Sequence, residues 1–413
     1  MEPRAGRLTL RAAAARRGYF VGMDDLDDPS TFRGQLQRGR GIAFRRAQSL
    51  ATAADAVYEC ILDDPRWDRQ TEARSAYLAA LLRTLNLPLA PIEEHLSAFD
   101  DDDPDDIGLL LDVLAESATA GSPDAISVLR RYVRDGKHWS TMLNAVLYSE
   151  PIDAPGVLDE LAADALACRT DAEVRQAIDD GDDDWMHADR TRRRWVERSR
   201  AKGEPNAMVA VRRERLQAMA ALSRGDLLET AAQSSGQRRW ALEELGRRGD
   251  QIVLDLVEDP SLRNSAGAMP GAARALKHLG APAVPRARLW MSDPAMAPLA
   301  IDVLAALGDQ PDVPALTAEF QRAFDDDDLW WHAETPAEGL GRLRVSEAAP
   351  LLRAGWERTV HSHARAPFLT ALHRCAPADA QDLADEGRDD CEPAVREVAA
   401  AIHQPGSSSC RSS

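Results

Sequence analysis

A short helical pattern that ends on glycine recurs through the second half of this chain, and it limits what the chain can fold into. In the stretch ARALKHLG, which ends at Gly280, apolar residues fall at the i, i+3, i+4 and i+7 spacing of one helix face. Those apolar residues are Ala272, Ala275, Leu276 and Leu279. The same pattern precedes Gly308 and Gly246, and a degraded copy ends at Leu343. A glycine in this place favours a left-handed C-terminal cap, so each copy predicts one short helix.

A second apolar segment follows each of these helices, so the repeating unit is a helical hairpin. The second segments are residues 252–257, 284–290, 313–324 and 351–356. Asp-Pro pairs at Asp64-Pro65, Asp259-Pro260 and Asp293-Pro294 suit helix starts. One hairpin cannot bury its apolar stripe alone and must stack on its neighbours. No segment alternates as a strand does. We therefore predict an all-α fold, an α-solenoid with Leu279 and Leu307 buried between hairpins.

Several of these segments resemble HEAT repeats of the short bacterial, phycobilisome-lyase-like kind. The resemblance rests on the Asp-Pro starts, on the helices AARALKHLG and LAIDVLAALG, and on EPAVREVAAAIH at residues 392–403. It covers residues 236–403 and is weaker before them. The resemblance implies a HEAT/armadillo-like superhelix of stacked helical hairpins that binds another molecule along its groove.

The chain divides by pattern into five segments. We assign residues 1–40 to an N-terminal arm that is partly disordered, and residues 41–178 to divergent helical repeats. Amphipathic helices are predicted there at 63–85, 106–117, 125–136 and 157–167. Residues 179–205, acidic and then basic, form a charged joint. HEAT-like repeats occupy residues 206–403, and a disordered tail follows at 404–413. Met23 would also suit a chain start, which leaves open whether residues 1–22 belong to the native chain.

Charge and cysteine usage narrow the possible partners and compartments. The formal net charge of −18 disfavours nucleic acid and anionic lipid on average. No apolar run is long enough to span a membrane, and the five cysteines have no paired spacing. We expect a cytoplasmic protein without disulfides.

Candidate metal and catalytic groups do not form a recognised motif. Aspartate runs at 100–103, 182–184 and 325–328 suggest calcium, but from Asp103 the EF-hand spacing places Ile107 and Leu114 at ligand positions. Five histidines and cysteines lie close in sequence without a zinc spacing: His361, His363, His373, Cys375 and Cys391. Deoxyhypusine hydroxylase is a HEAT-type enzyme with His-Glu iron ligands, yet no histidine here precedes a glutamate. The sequence also lacks a glycine-rich phosphate-binding loop, a dinucleotide-binding motif, the G-x-S-x-G motif of hydrolases and the HExxH motif of zinc proteases. We therefore assign no catalytic residue, cofactor or metal.

Two arginine-rich stretches, 32–47 and 190–203, oppose the overall charge. Both could bind phosphates, and the second, with Trp185 and Trp195 in or beside it, could also stack on bases. Its candidate binding residues include Arg192, Arg193 and Arg194. HEAT-like alkylpurine DNA glycosylases are similar in architecture, which keeps a nucleic-acid-acting protein as the alternative function. That alternative requires Trp185, Trp195 and the arginines to converge on one face beside a carboxylate.

Tryptophans provide the remaining candidates for a binding surface. Trp240 and Trp290 occupy core positions of the repeats, whereas Trp330 and Trp331 precede a helix start and are candidates for partner binding. The preferred function is a non-catalytic scaffold, adaptor or regulator that binds a protein partner. We expect no membrane association and no small-molecule substrate.

Overall fold

The computed structural model describes residues 26–66, 72–98, 107–149, 156–170, 173, 215–233, 237–262, 269–325 and 332–403. Within these ranges the regular structure is helical and no strand occurs. The prediction of an all-α fold is therefore confirmed.

The chain forms two compact units. The first comprises residues 1–204 together with 360–362 and 386–397, and the second comprises residues 205–359, 363–385 and 398–413. Nothing in the repeat pattern indicated that residues 386–397, inside the predicted HEAT-like segment, pack in the first unit.

The first unit contains a row of packed helices. Its described helices are α1 (Phe32–Gln37), α2 (Gly41–Ala47), α3 (Ala53–Leu62), α4 (Ser75–Thr84), α5 (Ala90–Ala98), α6 (Gly108–Thr119), α7 (Pro123–Asp135), α8 (Trp139–Ser149) and α9 (Val157–Cys168). Helix α6 packs against α4 on one side and α8 on the other, while α7 packs against α9. Leu81, Leu111 and Leu143 from the row are fully buried in a shared apolar core. Burying these leucines stabilises each helix by about 1.5–3 kcal/mol per side chain.

The second unit contains a longer row. Residues 215–220 are helical, and the helices that follow are α10 (Arg224–Ala232), α11 (Arg238–Arg247), α12 (Ile252–Glu258), α13 (Ala272–Leu279), α14 (Ala283–Trp290), α15 (Ala297–Leu307), α16 (Val313–Asp325), α17 (Glu334–Arg342), α18 (Ala349–Arg358) and α19 (Arg365–Cys375). Helices α11, α13, α15, α17 and α19 pack one on the next. Phe320, Phe324 and Phe368 form the aromatic core behind them, with ring centroids 5.3–5.4 Å apart.

Two further helices contribute residues to both units. They are α20 (Gln381–Gly387) and α21 (Pro393–His403). Residues 386–387 of α20 and 393–397 of α21 belong to the first unit.

The apolar stripes predict most of these helices correctly. Ala272, Ala275, Leu276 and Leu279 of α13 are all buried, and the second segments of the hairpins are helices α12, α14, α16 and α18. Trp240 and Trp290 are buried as predicted, and the Trp290 indole donates to Glu258 at 2.8 Å. Leu307 is only half-buried, so its prediction as an equivalent of Leu279 is wrong. It is the last residue of α15, where the chain leaves the helix.

The glycines that end the repeated pattern have three different roles, not one. Gly280 has a positive φ of 77°, as a terminal glycine should, but its ψ of −140° is not left-handed helical. Gly308 is extended, with φ −63° and ψ 175°. Gly246 lies inside α11, where an added Cβ would come within 2.2 Å of the Ala275 carbonyl oxygen. The expected left-handed helical cap is therefore wrong at all three glycines, although Gly280 keeps a positive φ. Close helix packing explains the glycine at 246.

The predicted helix over residues 63–85 is shorter than expected. Of the residues that the structure describes in this range, 75–84, in α4, are helical, and residues 64–66 and 72–74 are not. Asp64 accepts from the backbone and guanidinium of Arg66, so the polar residues before α4 turn inward instead of continuing the helix. Residues 32–40 form α1 and a buried turn, so the predicted N-terminal arm does not extend to residue 40.

Candidate functional site

A cleft of about 450 Å³ opens on the row of helices in the second unit. Helices α13, α15, α17, α19 and α21 all contribute to it. Its lining, which defines the cleft, is Lys277, Ala305, Ala306, Thr335, Glu338, Arg342, Ala366, Pro367, Thr370, Ala371, Arg374 and Val398.

Most of the polar residues that line the cleft lie on the outward faces of α17 and α19. Helix α17 buries Ala337, Leu340 and Gly341, and this turns residues 335, 338 and 342 outward, at spacings of three and four. Helix α19 presents residues 367, 370 and 374 at the same spacings. The two sets are offset by 32 residues, one repeat, and therefore occupy equivalent positions on neighbouring helices.

Small residues let these helices approach closely and form the floor of the cleft. A Cβ added to Gly339 would lie 2.8 Å from the Cα of Ala305, and one added to Gly341 would lie 2.6 Å from the Cα of Ala371. Arg342 links α17 to the end of α15, because its guanidinium donates to the carbonyl oxygens of Ala305 at 2.8 Å and Gly308 at 2.6 Å. These contacts hold three consecutive helices in one rigid surface.

The electrostatics of the cleft are set by three exposed cations, Lys277, Arg342 and Arg374, and one carboxylate, Glu338. Lys277 lies 3.8 Å from Asp302, at the outer limit of an ion pair, and both side chains are partly exposed. Desolvation in the cleft raises the pKa of the Glu338 carboxyl, and Asp302 and Glu334 add to this effect, while Lys277 and Arg374 oppose it. Glu338 thus lies between a lysine and an arginine.

The described lining contains binding groups but no combination of nucleophile and base. Its one paired hydroxyl is that of Thr370, which donates to the Ala366 carbonyl oxygen at 2.9 Å. The charged groups are carried by long side chains above a floor of alanines. Such a surface can bind a ligand by charge and shape, which is the chemistry we assign to it.

A second polar feature lies in the first unit, and we call it the polar clasp. It comprises Arg40, Asp64, Arg66, Glu72, Arg74, Ser362, Glu386, Cys391 and Glu392, all of them buried. Arg40 pairs with Glu386 at 2.7 and 2.9 Å, and Arg66 pairs with Asp64 at 2.7 Å. The amide of Ser362 donates to Glu72 at 3.1 Å, and the Ser362 hydroxyl donates to Glu392.

The polar clasp has the character of a structural element. Arg74 donates to Glu72 at 3.2 Å and to the Cys391 sulfur at 2.6 Å. A Cβ on Gly39 would fall 2.1 Å from Nη1 of Arg74, so no space remains between the segments. Buried charges that are paired and packed in this way hold distant segments of chain together.

The first arginine-rich stretch is part of this packing and does not form an exposed basic face. Arg38 donates to the carbonyl oxygens of Asp27 and Gly34, and Arg40 pairs with Glu386. The other three arginines also have protein partners: Arg33 with Asp27 and Glu59, Arg45 with Asp389, and Arg46 with Gln35. Each arginine of residues 32–47 thus has a partner within the protein, which argues against phosphate binding by this stretch.

The other candidates from the sequence are separated or cannot be placed. Trp185, Trp195, Arg192, Arg193, Arg194, Trp330 and Trp331 lie outside the described residues, as do the runs at 100–103, 182–184 and 326–328. Of the five histidines and cysteines, His361 and Cys391 belong to the first unit and the other three to the second. Among the described residues no three His, Cys, Asp or Glu side chains are grouped to hold a metal ion.

Two comparisons with known proteins gave no match. No model of a known protein family matches the chain, and no curated protein matches its sequence. Among the described helices none is long and apolar enough to cross a membrane.

The sequence analysis missed the residues that line the cleft. Lys277 and Glu338 lie on the polar side of helices that were identified by their apolar stripes, and Arg374 lies on α19, which was not predicted. A partial signal was present, because the spacing of positions 335, 338 and 342 recurs at 367, 370 and 374, with arginine at the last position of each set. Equivalent outward positions in adjacent repeats form a shared surface once the hairpins stack.

Proposed function

We propose that this protein is a non-catalytic scaffold, adaptor or regulator that binds a partner protein in the cleft. The proposal treats the second unit as part of an α-solenoid of stacked HEAT-like hairpins. One observation carries it: consecutive helices present equivalent outward residues that together line one cleft. Stacked helical repeats commonly bind their partners through such shared surfaces.

Site-specific photo-crosslinking tests this function. A photoreactive amino acid replaces Thr335 in the cleft, and a matched protein carries it at Leu289, which is 70% exposed on α14 and outside the cleft lining. After irradiation in extract of the native cells, we expect a discrete crosslinked polypeptide from position 335 only. Equal products from both positions, or none from position 335, would contradict a binding role for the cleft.

The nucleic-acid alternative loses the support that residues 32–47 offered, because their arginines are bound within the protein. We expect duplex DNA to bind more weakly than about 10 μM at 0.15 M salt, within the usual non-specific range. Fluorescence anisotropy with a labelled duplex measures this affinity. Sub-micromolar binding that is lost when Arg192, Arg193 and Arg194 become alanine would favour the alternative.

A further inference from the structure

We propose that the cleft recognises an acidic segment of a partner polypeptide, whose side-chain carboxylates lie between Lys277 and Arg374. This inference rests on the proposed function and names the chemistry of the partner. It follows from the charges, the free hydrogen-bonding groups and the small residues of the cleft.

The first observation is local charge. The lining carries three cations, Lys277, Arg342 and Arg374, against one carboxylate, Glu338. The whole chain has a net charge of −18, so this is a basic surface in an acidic protein. An acidic segment would be repelled by most of the molecule and attracted here, which gives the interaction its specificity.

The second observation is that two of the cations can accept a ligand. Arg342 is committed to the carbonyl oxygens at the end of α15. Arg374 is exposed, and among the described residues no protein hydrogen bond or ion pair engages it. Lys277 has only the 3.8 Å contact with Asp302, and exposed pairs of this kind contribute little. Both ammonium and guanidinium groups bind carboxylates strongly once water is partly excluded.

The third observation separates a polypeptide from a small anion. Glu338 stands between the two cations and offers carboxylate oxygens, which attract N–H donors and repel anions. A peptide has both components, backbone N–H groups for Glu338 and side-chain carboxylates for the cations. A free dicarboxylate or a phosphate has no N–H donor and would meet the charge of Glu338 uncompensated.

The floor of the cleft also suits an extended chain. Ala305, Ala306, Ala366 and Ala371 carry only methyl groups, so a peptide backbone can approach the helices closely. The lining crosses helices α13, α15, α17 and α19, which pack one on the next, so an extended peptide strand can contact several of them at once.

The experiment uses the full chain and three fluorescein-labelled decapeptides. One is rich in Asp and Glu, the second replaces them with Asn and Gln, and the third with Lys and Arg. We measure anisotropy at 0.05 and 0.15 M salt. We expect the acidic peptide to bind at least tenfold more tightly than the other two, with an affinity that falls as salt rises.

Charge-reversal variants locate the binding. Lys277→Glu and Arg374→Glu should each weaken binding of the acidic peptide at least tenfold, and Glu338→Gln should strengthen it severalfold. Arg247→Glu is the matched control, since Arg247 is half-exposed on α11, outside the cleft lining, and the change in net charge is the same. We expect this variant to leave the affinity within twofold of the unmodified protein.

The outcomes separate this inference from the proposed function. Equal binding of all three peptides, no effect of Arg374→Glu, or an equal effect of Arg247→Glu overturns the inference. Complete displacement of the acidic peptide by 1 mM glutarate would identify a small-molecule site and also overturn it. If position 335 crosslinks a polypeptide while the acidic peptide does not bind, the proposed function stands and the inference fails. If position 335 gives no crosslinked polypeptide and the acidic peptide does not bind, both the proposed function and the inference fail.

Discussion

Arg40 and Glu386, 346 residues apart in the chain, form a buried ion pair with two hydrogen bonds of 2.7 and 2.9 Å. Both side chains are less than a tenth exposed. The pair lies beside Gly39, whose carbonyl oxygen accepts from the amide of Cys391 at 2.9 Å. Residues near the two ends of the described chain are thus joined inside the first unit.

Removal of one partner of this pair should destabilise the first unit strongly. Glu386→Gln leaves the Arg40 guanidinium buried without its counterion, and we expect a cost of about 3–5 kcal/mol in the free energy of unfolding. Urea titration measures the loss, and hydrogen exchange assigns it to the first unit. The control is Asp389→Asn, which breaks the exposed pair with Arg45 and should cost less than about 1 kcal/mol. Similar losses of unfolding free energy in the two variants would show that burial of the Arg40–Glu386 pair does not increase its contribution to stability.

Gly39 and Gly121 offer a test of how tightly the polar clasp is packed. Both have positive φ, 66° and 88°, but a Cβ on Gly121 meets nothing within 4 Å. Gly121→Ala should therefore cost about 1–2 kcal/mol for the left-handed backbone alone. Gly39→Ala adds a clash with Arg74 and Cys391, so we expect about 2–5 kcal/mol in thermal or urea unfolding. An equal cost at the two positions would mean that the clasp can relax.

Replacement by alanine should change the free energy of unfolding in opposite directions at Gly246 and Gly225. Where no clash results, Gly→Ala in a helix stabilises by about 0.5–1 kcal/mol, and we expect this at Gly225 of α10, where an added Cβ would meet the hydroxyl oxygen of Ser223 at an ordinary contact distance of 3.7 Å. At Gly246 the methyl group would overlap the Ala275 carbonyl, and we expect a net loss of about 1–2 kcal/mol. Urea titration measures the free energy of unfolding of both variants. Stabilisation at both positions would argue against the close packing of α11 on α13.

Asp312 should make stability depend on pH in the acid range. Hydrogen bonds from Arg288, at 2.8 and 2.9 Å, hold the pKa of Asp312 below its ordinary value. Since the folded-state pKa is lowered, the stabilisation is present above the ordinary carboxyl pKa of 3.8 and is lost as pH falls through the folded-state value.

Asp312→Asn should therefore cost about 1–2 kcal/mol at pH 7, near the lower end for charged hydrogen bonds because Arg288 is partly exposed. The difference in the free energy of unfolding between this variant and the unmodified protein should become smaller below pH 4. Thermal unfolding from pH 3 to 7 measures it, and Asp255→Asn, at an exposed pair with Arg286, should change little. A difference that did not depend on pH would point to packing instead of charge.

Replacement by alanine should cost more at Leu279 than at Leu307, although the sequence pattern assigned both to the same position of the repeat. Leu279 is 7% exposed, and Leu279→Ala should cost about 2–5 kcal/mol. Leu307 is half-buried, and its replacement by Ala should cost less than about 2 kcal/mol, since its side chain leaves a smaller cavity. Urea titration measures the loss of unfolding free energy in each variant. An equal loss would support the repeat register that the sequence suggested.

The sequence by itself determined where most helices form and which of their faces is apolar. The stripe of Ala272, Ala275, Leu276 and Leu279 is a local property, since one helix period decides which residues share a face. For that reason α13, α15 and the second helices of the hairpins could be predicted closely. The polar residues of the cleft follow from the same periodicity, although only the packing of α15, α17 and α19 brings them together.

Tertiary structure alone decided the roles of residues whose partners lie far along the chain. Glu72 and Arg74 read as the polar side of a long helix, but both are buried, because Glu72 accepts from the amide of Ser362 and Arg74 donates to the sulfur of Cys391. Gly246 read as a helix end, but it is a point of contact with Ala275. A charge is buried only where an opposite charge and hydrogen-bonding groups are supplied, and a glycine is required only where another backbone comes close. Those conditions depend on atoms tens to hundreds of residues away, which periodicity within one helix does not encode.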